Sequence, residues 1–262
     1  LPVADQNLTL IRTLEGLSLN AWPCLQQILD DGWVLRFAEG YTKRANSVTP
    51  LYLGTENLTG NLTGNLTEKI KCCETVYSSW NLPSIFRLTD TAQWSSLDQT
   101  LSEMGYTKQD TISVQVKSIT NHNVFSGALD FTLEHQLSTE WLDHFVHTDN
   151  LPLQHWNTLS TMLEMIPNTT CYGYLKDQHR LCSIGLGVLE KNYLGIFCLT
   201  TAQKQRRQGY ATQLIAAMTD WGRSKGATTV YLQVETSNQA GMKLYNKLGF
   251  TEAYQYFYRI KS

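Results

Sequence analysis

Along the second half of the chain the spacing of apolar residues changes period repeatedly, and each change marks an element. Leu194-Gly195-Ile196-Phe197-Cys198-Leu199-Thr200 is a short apolar run rich in β-formers and predicts a buried strand. Ala211, Leu214, Ile215, Met218 and Trp221 then recur at helical spacing, and Gly222 and Gly226 bracket the exit. From Thr228 to Glu235 the pattern alternates, with Val230, Leu232 and Val234 on one face of a strand. Asn238 stands where it would cap a helix carrying Ala240, Leu244, Tyr245 and Leu248, which stops at Gly249. Tyr254, Tyr256 and Tyr258 alternate along a final strand. Ahead of all these, Leu137–His147 and His155–Met165 read as two helices.

The first half gives a similar rhythm. Helical spacing from Leu8 to Leu29 is broken near Pro23 and predicts two short helices. A strand is expected at Gly32–Phe37, a helix at Thr67–Tyr77, a strand at Pro83–Thr89 and a helix carrying Leu97, Leu101 and Met104, with a further strand at Thr111–Val116. Ile85–Asp90 followed by a helix ending Leu101-x-x-x-Gly105-Tyr106-Thr107 parallels Tyr231–Glu235 followed by Tyr245-x-x-x-Gly249-Phe250-Thr251. This echo predicts a duplicated α/β (α+β) fold: a mixed central sheet flanked by helices, in two similar halves. Asn121-His122-Asn123 and Ser126-Gly127 break the pattern between them, so domains of 1–125 and 126–262 are expected.

Composition narrows the function classes. A length of 262 residues suffices for one large core or two modest ones. The net charge of −2 leaves no basic surplus for nucleic acid or an anionic membrane. No apolar stretch nears the roughly 20 residues of a membrane helix, and Leu1–Asp5 has neither the basic region nor the apolar core of an export signal. A cytoplasmic location is therefore expected, as a monomer or homodimer. The six cysteines form no Cys-x-x-Cys pair, and most read as small buried residues in a reducing compartment. The histidines, His135, His144 and His147 among them, lack companions at ligand spacing, so no metal is expected. Asn-x-Ser/Thr sites occur at Asn7, Asn57, Asn61, Asn65 and Asn168. Three belong to one tandem Asn-Leu-Thr-Gly repeat, which reads as a surface loop.

Chemistry concentrates between the apolar strand and the helix that follows it. In Arg206-Arg207-Gln208-Gly209-Tyr210-Ala211, Gly209 lets backbone approach a ligand closely and Ala211 keeps the first helical turn uncrowded. The amides that open a helix are unpaired and sit at the positive end of its dipole, a setting for a diphosphate. Arg206 and Arg207 add charge that can pair with phosphate oxygens. An ordinary Arg-rich turn before a helix has the same composition. The other dense polar cluster, Gly40-Tyr41-Thr42-Lys43-Arg44-Ala45-Asn46-Ser47, reads either as a solvated hairpin or as a substrate-binding or closing loop.

Residues from about Thr170 to Arg259 resemble the GNAT superfamily of acetyl-CoA-dependent N-acetyltransferases. The family signature Gln/Arg-x-x-Gly-x-Gly/Ala is matched by Arg206-x-x-Gly209-x-Ala211, and its later signature by Asn238 and Leu244-Tyr245-Asn246-Lys247-Leu248-Gly249-Phe250. Many members carry Pro in the turn before the Arg, where this chain runs Thr201-Ala202-Gln203-Lys204-Gln205. The resemblance implies a GNAT fold and direct acetyl transfer from acetyl-CoA to an amine substrate. It places Leu199 and Thr201 against the pantetheine arm and thioester. It assigns Arg206, Arg207, Gln208, Gly209, Tyr210, Ala211 and Thr212 to the pyrophosphate, and Asn238 to the pantetheine arm. Tyr245 becomes the candidate general acid, because a phenol keeps its proton at neutral pH. Direct transfer leaves Cys198 without a nucleophilic role. For a general base, Glu235, Glu190 and Glu134 are candidates, and a water relay or a neutral amine needs none. The N-terminal half has no Arg-x-x-Gly-x-Ala turn and is expected not to bind the cofactor. A sensor that holds acyl-CoA without turnover, and a transferase using another acyl donor, are the alternative readings.

Overall fold

The computed structural model describes residues 3–53, 62–119, 130–178 and 180–261. In chain order its first elements are α1 (Val3–Ala21), β1 (Gln26–Asp30), β2 (Trp33–Phe37), β3 (Val48–Pro50), α2 (Leu62–Ser79), β4 (Ser84–Thr89), α3 (Ser95–Glu103) and β5 (Thr107–Ser118). There follow β6 (Asp130–Glu134), α4 (Thr139–Thr148), α5 (Trp156–Glu164), β7 (Thr169–Asp177), β8 (Arg180–Glu190) and β9 (Tyr193–Thr201). The last are α6 (Tyr210–Ser224), β10 (Thr229–Glu235), α7 (Gln239–Lys247) and β11 (Thr251–Lys261). No helix among the described residues is long and apolar enough to cross a membrane.

The elements fall into two compact units: Leu1–Pro23, Val114–Val234 and Asn238–Ala253 form the first, and Cys24–Ser113, Glu235–Ser237 and Tyr254–Ser262 the second. The expected cut at 125/126 lies outside the described residues, and chain order alone does not define the units. The opening helix α1 belongs with the later half, where Ser18 accepts from Gln233 at 2.7 Å. Most of the last strand belongs with the earlier half, where β11 runs antiparallel to β4 from Tyr256/Thr89 to Lys261/Ser84.

Connectivity repeats between the units. In the second, β2 and β3 pair antiparallel, β3 and β4 pair parallel, α2 links β3 to β4, and α3 follows β4. In the first, β8 and β9 pair antiparallel, β9 and β10 pair parallel, α6 links them, and α7 follows β10. The fold is thus the expected mixed sheet flanked by helices, in two similar halves.

Each unit has its own core. In the second, Trp33, Leu35, Phe37, Phe86, Leu88 and Phe257 meet Ile70, Tyr77, Leu97 and Leu101 of α2 and α3. In the first, Cys171, Leu194, Ile196, Val230 and Leu232 meet Leu214, Ile215, Met218 and Trp221 of α6. Leu194, Leu214, Met218 and Val230 are fully buried, each contributing roughly 1.5–3 kcal/mol.

Glycines on β7 and β8 bring α6 close to the sheet. A Cβ at Gly173 would stand 3.0 Å from Leu214, one at Gly185 3.1 Å from Met218, and one at Gly187 2.6 Å from the Cys171 sulfur and 3.2 Å from Met218. Gly187→Ala is therefore expected to cost about 1–3 kcal/mol through overpacking, read as a lowered urea midpoint. A midpoint equal to the parent's would show that the helix yields without cost.

Two local expectations change. Only one helix spans the region from Leu8 to Leu29, because after Pro23 residues Gln26–Asp30 pair with β2. Asp31 and Gly32, at φ 37° and 83°, make the tight Asp-Gly turn that joins these strands. In the Asn-Leu-Thr-Gly repeat, Asn57 and Asn61 lie outside the described residues, while Asn65-Leu66-Thr67 is already inside α2. All six cysteines are free; Cys24, Cys73, Cys171 and Cys182 are buried, but Cys72 is exposed.

Candidate active site

The turn between β9 and α6 is built as a backbone cradle. Arg207 has φ 65° and Gly209 φ 82°, so left-handed residues alternate with others just before the helix. Gly209 is the N-cap, and no side chain caps the helix behind it. By contrast, Ser138 caps α4 by accepting from the Trp141 amide, and Asn238 caps α7 by accepting from Gly241 at 2.9 Å. The opening amides of α6 therefore have no side-chain cap, the arrangement that suits an anion.

Side chains of the turn divide into anchors and outward cations. Tyr210 is buried, and its single hydroxyl proton lies within reach of two acceptors, the Asp177 carboxylate at 2.9 Å and the Gln208 side-chain oxygen at 3.1 Å. Gln208 in turn donates to the Lys204 carbonyl. The Tyr210 hydroxyl is thus held within the protein, while Gln208 is exposed with its amide bonded inside the turn. Arg206 is exposed and donates from Nε to the Thr201 carbonyl at 3.3 Å. Arg207 is exposed with no hydrogen bond or ion pair among the described residues. Ala211 and Thr212, in the first turn of α6, are half-buried.

Beside this turn two strands part. β9 and β10 are in parallel register from Tyr193/Thr229 to Ile196/Leu232, and no pairing continues beyond. On its other edge β9 is bulged. Ile184 faces Thr200 and Leu186 faces Phe197, so Gly185 alone stands opposite Cys198 and Leu199. Cys198 carries the irregularity, with φ 49°. Trp141, fully buried on α4, donates its indole NH to the Gly185 carbonyl at 3.3 Å.

The bulge determines what Leu199 and Thr201 can offer. A Cβ on Gly185 would touch the Leu199 side chain at 3.5 Å and Leu214 at 3.5 Å, so the Leu199 side chain lies toward α6. Its main chain is what remains at the opening. Ser183 donates to the Thr200 carbonyl at 2.8 Å and shares a hydrogen bond with the Thr201 hydroxyl at 3.0 Å. The far part of β9 is therefore held from the β8 side while its β10 side is open.

Tyr245 sits on α7, the helix after the diverging strand. Its ring makes an edge contact with Phe250, 6.0 Å between centroids. No hydrogen bond to its hydroxyl forms among the described residues. Burial pushes its pKa up to about 12, so the phenol keeps its proton at neutral pH.

Each of the three candidate carboxylates accepts a hydrogen bond from another side chain. Glu190 pairs with Tyr193 at the closed end of β9 and accepts from Asn20 and Asn168. That is about 13 Å along the strand from the opening, at 3.3 Å per residue. Glu134, on β6, accepts from the Tyr174 phenol at 2.7 Å. Glu235 is exposed, accepts from Ser237 and belongs to the second unit. His144, weighed from the sequence only as a metal ligand, lies one turn beyond Trp141. Its Nε2 is buried without a hydrogen bond among the described residues, and burial, aided by His147 and opposed by Glu140, lowers its pKa. Only packing could reveal it.

An open cradle ahead of a helix, beside a strand pair that parts, suits a long ligand bearing a diphosphate at one end. The donor set fits acetyl-CoA: amides and cations for the diphosphate, and unpaired β9 backbone for the amide-bearing arm.

Over residues 9–259 the chain matches the family described as "Probable histone acetyltransferase Rv0428c C-terminal". A Bacillus subtilis protein named "Uncharacterized N-acetyltransferase YobR" is 28% identical over 254 residues, covering 96% of this chain and 98% of its own. A GCN5-related N-acetyltransferase from Kribbella flavida superposes with a TM-score of 0.68 at 13% identity, covering 95% of each chain. A tandem GNAT protein from the clavulanic acid biosynthesis pathway gives 0.63 at 9% identity, covering 96% of this chain and 87% of that one. At such identities these two structures speak for the fold alone. The chain belongs to the Rv0428c C-terminal acetyltransferase family and is an acyltransferase of the GNAT superfamily.

Proposed function

We infer that the first unit binds acetyl-CoA and passes its acetyl group directly to a primary amine, carried by a small metabolite or by a protein. The observation that carries this reading is the uncapped, left-handed turn at Arg207 and Gly209, beside the parting of β9 and β10. GNAT acetyltransferases use acetyl-CoA, whose thioester is an activated acyl group. Arg206–Thr212 hold the diphosphate through main-chain NH groups, with the two guanidinium groups supplying charge. Main-chain groups of Leu199 and Thr201, on the open side of β9, orient the arm and polarise the thioester oxygen. Asn238, exposed at the start of α7, adds a side-chain amide NH toward the arm while its oxygen caps the helix. Tyr245 donates its proton to the departing sulfur. No dedicated base is required when the amine arrives neutral or loses its proton to water.

Calorimetric titration with acetyl-CoA, followed by thiol release across a panel of primary amines, tests this. Binding in about the micromolar to submillimolar range is expected, with free CoA appearing for at least one class of amine. Binding without thiol release from any amine would favour a sensor. An absence of binding would remove the reading altogether.

A further inference from the structure

In the second unit β1 leaves the sheet with an open edge. It pairs antiparallel with β2 from Gln26/Phe37 to Asp30/Trp33 and with no other described strand. The two-residue turn at Asp31-Gly32 makes Asp30 and Trp33 a hydrogen-bonded pair, and alternation makes Ile28/Leu35 and Gln26/Phe37 the next two. The far side of β2 keeps the same phase, since the Arg36 amide donates away from β1, to the Ser47 carbonyl at 3.2 Å. The NH and C=O groups of Gln27 and Leu29 therefore point outward. Among the described residues no hydrogen bond reaches them.

Proteins commonly blunt such an edge with Lys, with Pro or with a covering element. Gln26–Asp30 contains no cation and no proline, and all five residues are exposed. Two aliphatic side chains stand together at its centre, Ile28 38% and Leu29 74% exposed. Ile28 shares a face with its partner Leu35, which packs against α2. Between strand and helix a groove of about 560 Å³ remains, walled by Ile28, Leu35, Cys72 and Val76. Of the charges that border it, Lys69 is engaged within the chain. It donates to the Asp31 carbonyl at 2.9 Å and lies 4.4 Å from the centre of the Trp33 ring. Asp30 has neither a side-chain hydrogen bond nor an ion pair among the described residues.

We propose that this edge is the contact for a second copy of the chain, the two β1 strands joining antiparallel about a two-fold axis at Ile28. The open positions are symmetric about that axis. Gln27 of each copy comes opposite Leu29 of the other, outward residue against outward residue, so each such pair exchanges N–H···O bonds in both directions. Ile28 meets Ile28 as a non-hydrogen-bonded pair, with Cα atoms about 4.5 Å apart and both side chains beside the α2 grooves.

Charge selects the same arrangement. Asp30 comes opposite Gln26, whose amide can donate to the carboxylate, and no like charges face one another. A shift of one residue would set outward groups against inward ones, which a ladder cannot bond. Gln-Gln-Ile-Leu-Asp thus complements itself, and that symmetry favours a second copy over an unrelated strand. The contact lies within the second unit and is independent of the acetyl-transfer reading.

Sedimentation equilibrium of the full chain under reducing conditions tests this. A monomer–dimer equilibrium is expected, with Kd in about the micromolar to submillimolar range that suits a small interface. Gln27→Pro removes an outward NH and leaves the bonds to β2 intact, and Leu29→Lys places two cations on one face of the joined sheet. Each is expected to raise Kd at least tenfold with parental circular dichroism. Cross-linking fixes the register without relying on those variants. In a Cys72→Ser background, Ile28→Cys is expected to form a disulfide-linked dimer under air and copper phenanthroline, because facing Cα atoms at about 4.5 Å lie within disulfide reach. Asp30→Cys, which faces Gln26 of the other copy, is expected to stay monomeric on non-reducing gels. A parent that remains monomeric up to about millimolar concentration would overturn the proposal. So would a dimer whose Kd neither edge variant moves, or Asp30→Cys cross-linking as readily as Ile28→Cys.

Discussion

Tyr245→Phe is expected to lower kcat about a hundredfold while changing the Kd for acetyl-CoA less than twofold, in line with the usual contribution of a general acid. The substitution removes one oxygen and keeps the ring that meets Phe250 edge-on, so α7 and its packing survive. The lost proton matters only when sulfur departs, which is why binding is spared. Burial that pushes the Tyr245 pKa up to about 12 adds a pH signature. An acid protonated until about that pH causes no alkaline loss of kcat through pH 10, so any limb below that belongs to another group. Steady-state kinetics with saturating amine decide the matter. An unchanged kcat would mean that Tyr245 only packs.

Gly209→Val is expected to act on the opposite parameter. At φ 82° a β-branched residue is strained by roughly 1–3 kcal/mol, and the turn relieves that strain by rotating its amides out of line. At 1.4 kcal/mol per tenfold, acetyl-CoA affinity should fall by one to two orders of magnitude. A Cβ at Gly209 meets nothing within 4 Å, so the protein itself is not overpacked and thermal stability should fall only modestly. If kcat is recovered at saturating acetyl-CoA, the turn binds and does not react. Unaltered affinity would show that the diphosphate is held elsewhere.

The turn could be read in the sequence because its chemistry is local. Arg206, Gly209 and Ala211 fix a backbone shape within six residues, and the helix behind them announces itself by its spacing. Tyr245 becomes a candidate for the same reason, through Leu244 and Gly249-Phe250. What stayed hidden depends on contacts between distant segments. The bulge at Cys198 exists because β9 pairs differently with its two neighbours, and nothing in Phe197–Thr201 signals it. β7 and β8 were not picked out because Gly173, Gly185 and Gly187 blur the alternation at the places where α6 descends on them. Helical spacing that runs on past Pro23 to Leu29 masks β1 and the Asp31-Gly32 turn behind it. The pairing of β11 with β4 joins residues 167 to 177 positions apart, from Thr89/Tyr256 to Ser84/Lys261, and leaves no mark in the local pattern.

Most direct of all is an amide map of the chain during titration with acetyl-CoA. If the opening turn of α6 grips the diphosphate, the largest shifts fall on Gly209, Tyr210, Ala211 and Thr212, with a second group on Cys198–Thr201. Saturable binding that leaves those amides unmoved would contradict the account.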